Sequence, residues 1–597
     1  MANEKAIKKQ NVLNGAMVLV VATALVKIIG AIYKIPLTGI IGSLGRGYFA
    51  SAYNIYTPVY AISMAGLPVA VSAIVSKNVA LGKYRDVKQV FKVTFPLFLG
   101  LGVIGTAFLM LFADYYVTKI ALSPLSVYAV FCIAPCVLFC CIMSTYRGYY
   151  EGLNNMYPTA ISQVLESLGK LIFGLTLSYI ALDYATKQVE ATGSVFGFKV
   201  ETEADGAIVY ALAAAGAVLG VTLGTVMGTV YVVIKHHFRK NSDGITKEML
   251  INSPLAQPKK STMKDIVAIA VPTAISSLVL NVTNFIDAAM IQNRLKSVVA
   301  TGYDVIMGMY GDSITSAEVA KENIHTFLYG AYDTTLDLRN LIPTIMMTLG
   351  VSAIPVISSA MAKKDFKLAG NTINTIFRIC MLFALPAGVG FFVLAEPIYT
   401  LLYKGSENES GIAVAAPVLA LYGLMMVILT ISSPLTNILQ AIGRADVPAK
   451  ALALGCVIKI GLNYVLIGIP EINIKGAVFG TGMFYLFCII YDYIVLKKET
   501  GIKLDWSKGF IKPLISSLLC GAAAWGGYEL ISRYLVFGSP DSRLNGETVA
   551  CIISIIIAVV VYAVCILVSK TIVKDDILML PKGEKIAEIL EKYKLLG

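Results

Sequence analysis

Charged side chains inside long apolar segments are the features of this sequence that could do chemistry. Lys27 lies near the middle of the first apolar run, Lys34 returns to the same helical face seven residues later, and Lys459 lies within a later run. Arg339 carries a planar guanidinium, whose fork of N–H donors suits phosphate oxygens. Because a charge in a membrane is costly and usually faces a polar cavity, we predict that these four cations bind an anion.

Two of these cations have structural alternatives. Lys34 lies near the outer end of its run, where its ammonium could instead extend to the membrane surface. Arg339 could instead form an ion pair with Asp337 or Asp287, since buried charges usually have partners. The sequence leaves both alternatives open.

Other ionisable residues within the runs suggest accessory roles. Glu166 precedes Lys170 by four residues, the favourable order for an ion pair on one helix. We favour such a neutral pair over a gate. Asp287, which shares a face with Asn284, is the carboxylate that we expect to hold a coupling Na⁺ or H⁺. Asp492, close to the inner end of its run, is expected to lie at the membrane interface.

Arg46 and Asp337 are further candidates for gate or accessory roles. Arg46 falls in the glycine-containing segment 42–47, which we interpret as a tight turn on the outer side. There it could contact a ligand or simply be solvated. Arg147 ends an apolar run at the side that we assign to the cytoplasm, where the preference for cations explains it.

No catalytic centre or metal site is predicted. All ten cysteines lie in apolar runs, and a free Cys behaves as a small buried hydrophobe. The chain has three histidines, and no nucleotide-binding, hydrolase or zinc motif stands in a fitting context. We therefore expect no enzyme activity, no ATP hydrolysis, no nucleic-acid partner and no cofactor beyond a coupling Na⁺ or H⁺.

The elements that must position these residues are membrane helices. Of the 597 residues, 57% are hydrophobic and 14% charged, and the mean hydropathy is +0.74. A soluble domain has about a quarter charged residues, so this composition excludes an ordinary soluble enzyme. A spanning helix needs about 20 apolar residues, and fourteen runs qualify. They lie near residues 14–41, 48–75, 91–113, 125–146, 158–182, 207–234, 266–292, 327–360, 372–395, 413–441, 448–469, 476–496, 511–535 and 547–569.

The net charge of +12 has mainly a topological role. If the N-terminus is cytoplasmic, most of the 49 Lys and Arg residues fall in cytoplasmic loops, as membrane proteins prefer. The first run is too long for a signal peptide and lacks a small-residue cleavage site, so we expect it to be retained. We predict a multi-pass membrane protein with both termini in the cytoplasm.

The two halves of the chain show internal similarity. Lys170 follows Pro158 by twelve residues in the first half, and Lys459 follows Pro448 by eleven in the second. Both halves begin inside, so the repeats are parallel, an arrangement typical of alternating-access transporters. The predicted parts are an N-terminal six-helix lobe (1–235), a cytoplasmic linker (236–265), a C-terminal six-helix lobe (266–498), a terminal helix pair (499–569) and a cytoplasmic tail (570–597).

Two motifs resemble a known family. The stretch 146–166, YRGYYEGLNNMYPTAISQVLE, resembles the fourth-to-fifth helix signature of the MOP exporter superfamily. It is most similar to the polysaccharide exporter branch, which includes stage V sporulation protein B and the Gram-positive lipid II flippases. The stretch 27–37, KIIGAIYKIPL, is similar to the first helix of that branch.

The resemblance implies an all-α fold of fourteen helices, with two parallel six-helix lobes and a terminal pair in a V-shaped, MATE-like arrangement. It implies a flippase of the bacterial plasma membrane, a monomer, that moves an undecaprenyl-pyrophosphate-linked glycan, lipid II or a polysaccharide repeat unit, to the outer leaflet. In such flippases a cationic cavity receives the pyrophosphate, and the last two helices form an apolar groove for the lipid tail. This chain departs from the Gram-negative lipid II flippases in having Lys27 where they tend to carry Arg, and in its outer insertions 183–206 and 293–325.

Two other functions remain as alternatives. A cation-coupled multidrug antiporter of the MATE type would be expected to have an acidic, aromatic cavity and twelve helices. A membrane-embedded glycosyltransferase would need an acidic catalytic motif on a large outer loop. The insertion 293–325 holds four carboxylates, but without recognisable spacing. The cations within the runs favour a carrier for an anionic lipid-linked glycan.

Overall fold

The protein is almost entirely helical. The computed structural model describes residues 12–201, 203–238, 243–502, 504–535, 537, 545–573, 588 and 591. Within them a short antiparallel hairpin, β1 (Ser194–Val195) and β2 (Phe198–Lys199), accompanies the helices. The predicted all-helical class is therefore confirmed.

Eighteen α-helices are present in the described residues. In the first part of the chain they are α1 (Val12–Ala61), α2 (Leu67–Ala80), α3 (Tyr84–Tyr115), α4 (Val127–Gly152), α5 (Tyr157–Thr192), α6 (Glu203–Phe238), α7 (Lys247–Ile251) and α8 (Lys259–Thr301). In the second part they are α9 (Tyr303–Ser316), α10 (Ile324–Arg339), α11 (Leu341–Ala362), α12 (Phe366–Val393), α13 (Ala395–Tyr403), α14 (Ile412–Ala441), α15 (Asp446–Ile467), α16 (Gly476–Thr500), α17 (Lys512–Tyr534) and α18 (Gly546–Val568).

Eleven helical segments of the described chain are long and apolar enough to cross a membrane. The first, Val21–Ala80, covers two of the predicted spans, and α8 and the α10–α11 pair cover two more. The protein is thus a multi-pass membrane protein. The count of fourteen spans and the parallel layout of two lobes stay predictions.

The chain divides into two compact units. The N-terminal unit comprises Met1–Asn293 and Glu318–Gly330, and the C-terminal unit comprises Arg294–Ala317 and Ala331–Gly597. The N-terminal unit extends beyond the linker 236–265 and takes in most of α8. The predicted six-helix repeats and their boundaries stay a prediction.

Gly42 joins two helices within α1. Its φ of 62° lies in the left-handed region, which glycine reaches at little cost because it has no Cβ. The residues after Gly42 return to helix at once, so the predicted tight turn over 42–47 is wrong. Arg46 consequently lies on a helix and not in a solvated turn.

The predicted eighth span, 327–360, is broken into α10 and α11 at Asn340. Pro343 explains the break, because it has no N–H to donate to the carbonyl of Arg339 one turn earlier. Backbone hydrogen bonds continue on either side of the break. The backbone N–H of Asn340 donates to the oxygen of Leu336 at 3.1 Å, and the backbone N–H of Thr344 donates to the oxygen of Asn340 at 3.1 Å. Arg339 is therefore the last residue of its helix.

A tight seam joins α1 to the first half of α10 within the N-terminal unit. A Cβ added to Gly330 would lie 1.8 Å from the oxygen of Ser43, and one added to Gly47 would lie 2.3 Å from the oxygen of Thr326. Close by, the amide of Asn54 donates to the hydroxyl of Tyr329 at 2.8 Å. The two backbones can approach this closely only because both positions lack a side chain.

The linker after α6 is fastened to the start of α3. Arg85 Nε donates to the oxygen of Leu250 at 2.8 Å, and Asp86 accepts the amide N–H of Gln257 at 2.8 Å. Asp243 forms an ion pair with Lys88. Burial works to raise the pKa of Asp243, but the hydrogen bond and charge of Lys88 outweigh it and hold that pKa below its ordinary value.

In the C-terminal unit α17 and α18 pack against each other, α17 also packs on α12, and α18 on α13. Lys404 and Glu547 link the start of α18 to the segment after α13 with an ion pair of 2.7 Å. An apolar cavity of about 290 Å³ lies among α12, α14, α16 and the turn before α17. Its lining includes Phe377, Ile431, Ile489 and Trp506.

Candidate functional site

Lys170 of α5 is held by two phenol rings of α1. Its Nζ lies 4.9 Å from the ring centre of Tyr33 and 5.3 Å from that of Tyr53, and it donates to the Tyr53 hydroxyl at 3.0 Å. The face of an aromatic ring carries negative charge and attracts a cation. Tyr33 is fully buried and donates to the oxygen of Ala217 on α6 at 3.3 Å, which fixes one wall of this arrangement.

Glu166 pairs with Arg147 across α4 and α5. Arg147 donates from Nη2 to Glu166 at 3.0 Å and from Nε to the Ser162 hydroxyl at 2.8 Å, with its side chain 3% exposed. The preference for cations at the cytoplasmic side is therefore not needed to explain Arg147, which has a buried ion-pair partner. The prediction of a Glu166–Lys170 pair did not include Arg147, because helical spacing identifies neighbours on one helix but not those on the next helix.

Arg46 is buried in the N-terminal unit, with only 2% of the residue exposed. Its guanidinium lies 5.3 Å from the ring of Phe49, three residues later on the same helix. Lys27 is exposed on α1 and Lys34 is half-buried. The structure thus brings Lys170, Tyr33 and Tyr53 together, while the predicted anion-binding roles of Lys27 and Lys34 stay predictions.

Arg339 of α10 lies over an aromatic ring in the C-terminal unit. Its guanidinium carbon is 4.7 Å from the ring centre of Tyr422 on α14, whose hydroxyl lies 3.0 Å from that of Tyr332. Nε and Nη2 donate to the side-chain oxygen of Asn340 at 3.3 and 3.2 Å. Within the described part of the chain Arg339 forms no salt bridge, so the alternative of a pair with Asp337 is not realised.

Lys459 of α15 is half-buried, and its Nζ lies 6.0 Å from the ring of Phe484 on α16. Asp337 on α10 is half-buried and takes part in interactions of its own. On α8 Asp287 is buried while Asn284 is exposed. The roles of the last two in ion coupling stay predictions.

The aromatic partners of these cations are the contacts that the sequence did not reveal. Tyr33, Tyr53 and Tyr422 hold cations by their ring faces, yet a tyrosine in an apolar helix looks like ordinary core. The chain has 32 tyrosines, and no sequence spacing distinguishes these three from the others as partners of cations. Among the described residues no group of three His, Cys, Asp or Glu could hold a metal ion.

Comparisons with known proteins agree with this architecture. A family model described as polysaccharide biosynthesis protein matches residues 12–361, and one described as lipid II flippase MurJ matches residues 340–541. Lipid II flippase MurJ of Bacillus subtilis (strain 168) is 26% identical over 569 residues, 93% of this chain and 94% of the relative. Stage V sporulation protein B of the same organism is 24% identical over 577 residues, 96% and 98% of the two chains.

Two solved structures share the fold. Lipid II flippase MurJ in an inward closed conformation covers 92% of this chain and 98% of its own, with a TM-score of 0.58 at 14% identity. A multidrug resistance MATE family transporter of the MOP superfamily, in an inward-facing conformation, covers 81% and 98% with a TM-score of 0.57 at 15% identity. The MATE-like fold expected from the sequence is thereby confirmed, and the chain belongs to the polysaccharide biosynthesis protein family.

Proposed function

We propose that this protein is a flippase that moves an undecaprenyl-pyrophosphate-linked glycan, lipid II or a polysaccharide repeat unit, from the inner to the outer leaflet by alternating access. It acts in cell-wall or polysaccharide biosynthesis in the bacterial plasma membrane. Its fourteen spans place both termini in the cytoplasm, and it works as a monomer without ATP.

The observation that carries this proposal is the environment of Arg339. A guanidinium in a membrane helix normally has a carboxylate partner, whereas this one is oriented by the ring of Tyr422 and the amide of Asn340. Both partners are neutral, so the site keeps its positive charge. Its N–H fork can then form paired hydrogen bonds to phosphate oxygens, which are stronger than bonds to a neutral acceptor.

The choice of substrate class rests on the relatives. The relatives from Bacillus subtilis carry the names lipid II flippase and stage V sporulation protein B, and the family model for lipid II flippases covers most of the C-terminal unit. Fold likeness alone does not decide between a flippase and a MATE-type drug antiporter, since the two solved structures have TM-scores of 0.58 and 0.57. A cationic site favours the anionic lipid.

The apolar lining of the cavity in the C-terminal unit supports a place for the lipid tail near the terminal helix pair. Contact of a lipid tail with aliphatic side chains such as Ile431 and Ile489 is favourable. Each Å² of apolar surface that is removed from water contributes about 25 cal/mol to the free energy of binding. Lys27, Lys34 and Lys459 remain our further candidates for contact with the pyrophosphate.

The test is a set of variants in a strain depleted of its own flippase. Arg339→Ala should abolish complementation at normal protein levels, and Arg339→Lys should restore it only partly because an ammonium lacks the planar fork. The matched control is Arg533→Ala, since Arg533 is exposed and pairs with Glu529 on its own helix. Full rescue by Arg339→Ala would refute the phosphate site.

A second measurement separates the two transporter classes. Native mass spectrometry of the purified protein should show binding of lipid II or another undecaprenyl-pyrophosphate-linked sugar. Deletion of the protein should lead to accumulation of a lipid-linked precursor. Altered drug sensitivity with no precursor accumulation would support the antiporter instead.

A further inference from the structure

The C-terminal unit buries a carboxylate that the proposed function does not use. Asp492 lies on α16 two turns before the end of that helix, and only 2% of the residue is exposed. Its Oδ1 is buried and has no hydrogen-bond partner in the part of the chain that the structure describes. Asp492 is therefore buried within the protein, and its expected depth at the membrane interface stays a prediction.

The surroundings of Asp492 on α16 are apolar on both sides along the helix. One turn earlier Cys488 is buried and donates its thiol to the oxygen of Ala451 on α15 at 3.5 Å. One turn later Leu496 belongs to a buried apolar cluster that also contains residues of α12 and α14. The carboxyl group thus lies between two layers of hydrophobic packing.

In the described part of the chain, the side chains of α14, α15 and α16 form no salt bridge with Asp492. On α14 the one titratable side chain is Tyr422, which is engaged with Tyr332. On α15 Asp446 and Lys450 pair with each other at 3.1 Å, and both are exposed. The other titratable side chains are Cys456, Lys459 and Tyr464 on α15 and Tyr485, Cys488, Tyr491, Tyr493, Lys497, Lys498 and Glu499 on α16.

Across the apolar cavity, α12 carries one buried cation. Arg378 donates to the Thr375 hydroxyl on its own helix at 3.4 Å. Among the described residues no salt bridge joins Asp492 to Arg378 or to any group on α14, α15 or α16. Other carboxylates in the membrane helices, namely Asp287, Asp333 and Asp337, take part in polar or electrostatic interactions of their own.

An ionised carboxylate buried without a partner is strongly disfavoured, whereas the neutral acid is tolerated. We propose that Asp492 is a proton-binding site, which holds its proton in this conformation and releases it when α16 becomes accessible to water. The O–H bond of the carboxyl group is the one bond that forms and breaks, and water supplies and accepts the proton. Coupling of this proton to transport rests on the proposed function, but the site itself does not.

Infrared spectroscopy of the full chain in lipid nanodiscs tests the site directly. At neutral pH the wild type should show the C=O stretch of a protonated carboxylic acid, shifted in D₂O, and Asp492→Asn should lose that band. The matched control is Asp446→Asn, whose exposed carboxylate pairs with Lys450, so it should lose a carboxylate band and keep the acid band. Loss of a carboxylate band in Asp492→Asn would overturn the proposal.

Transport in proteoliposomes tests the coupling. With lipid II as the probe, a pH difference across the membrane should change the wild-type translocation rate several-fold, and Asp492→Asn should move lipid II at a rate independent of that difference. Binding of lipid II in native mass spectrometry should be unchanged, since amide and neutral acid have the same shape. An equal response of both proteins refutes coupling. Failure of the wild type to bind lipid II refutes the proposed function and leaves the infrared result standing.

Discussion

Substitution of Gly330 by alanine should open the seam between α1 and α10. The added Cβ would lie 1.8 Å from the oxygen of Ser43 and 2.6 Å from the amide nitrogen of Gly47. To restore ordinary contact the Cβ and the oxygen of Ser43 must separate by about 1.6 Å, and overpacking of this kind costs about 1–3 kcal/mol. Because about 1.4 kcal/mol is a factor of ten in an equilibrium, the open form should become about 5- to 150-fold more populated.

A cysteine placed at Ser51 reports the opening of this seam. Ser51 is fully buried one turn after the seam residue Gly47, and its hydroxyl donates to the oxygen of Gly47 at 2.9 Å. A membrane-impermeant maleimide should therefore react with Ser51→Cys only while the seam is open. The ten native cysteines are buried or half-buried, and the protein without the reporter gives their background. In the Gly330→Ala background the labelling rate should rise by the same factor as the open population.

The matched control is Gly30→Ala on α1, because a Cβ there would meet no atom within 4 Å. It should leave the labelling rate of the Ser51 reporter unchanged, and both variants should keep the elution profile of the folded protein. An unchanged rate in Gly330→Ala would refute the argument that the missing side chain keeps the seam closed. An equal rise in Gly30→Ala would show a general loosening of α1.

Two further predictions concern charged pairs of the N-terminal unit. Glu166→Gln leaves the buried guanidinium of Arg147 without its counter-charge, so the free energy of unfolding should fall by about 3–5 kcal/mol. The double variant with Arg147→Gln should recover part of this loss. An unchanged melting temperature in the single variant would contradict the pairing. The pKa of Asp243 is lowered in the folded state, so its pair with Lys88 stabilises the protein at neutral pH and this stabilisation disappears as the pH falls through the folded-state pKa. Asp243→Asn should therefore lower the melting temperature at pH 7 and flatten its fall on the acid side, and a parallel acid-side slope in the two proteins would count against the prediction.

Helices could be predicted from sequence because their cause is local. Each apolar run predicts a helix over the same residues, and the described helices cover the fourteen predicted runs. The errors arose where one residue decides the backbone. Gly42 permits a left-handed break without a turn, and Pro343 removes one hydrogen bond and divides the eighth run.

Partners could not be predicted, because they come from neighbouring helices. The sequence identified Glu166 and Lys170 as interacting groups, but Arg147 lies on the preceding helix, and only the packing of α4 on α5 brings it to the carboxylate. Burial of Asp492 was missed for a similar reason. Its position near a helix end suggested contact with water, but only 2% of the residue is exposed.

The contrast between two arginines explains why the partner matters more than the charge. Arg147 is neutralised by Glu166, so it stabilises the contact of α4 with α5 and has little charge left for a ligand. Arg339 is oriented by Tyr422 and Asn340, which fix the guanidinium without cancelling its charge. A ring face attracts a cation by about 0.5–2 kcal/mol, less than the ionised oxygens of a pyrophosphate group offer in the same low-dielectric place. A cation held in this way can exchange its contacts for those of an arriving anion and regain them after release, as a carrier requires.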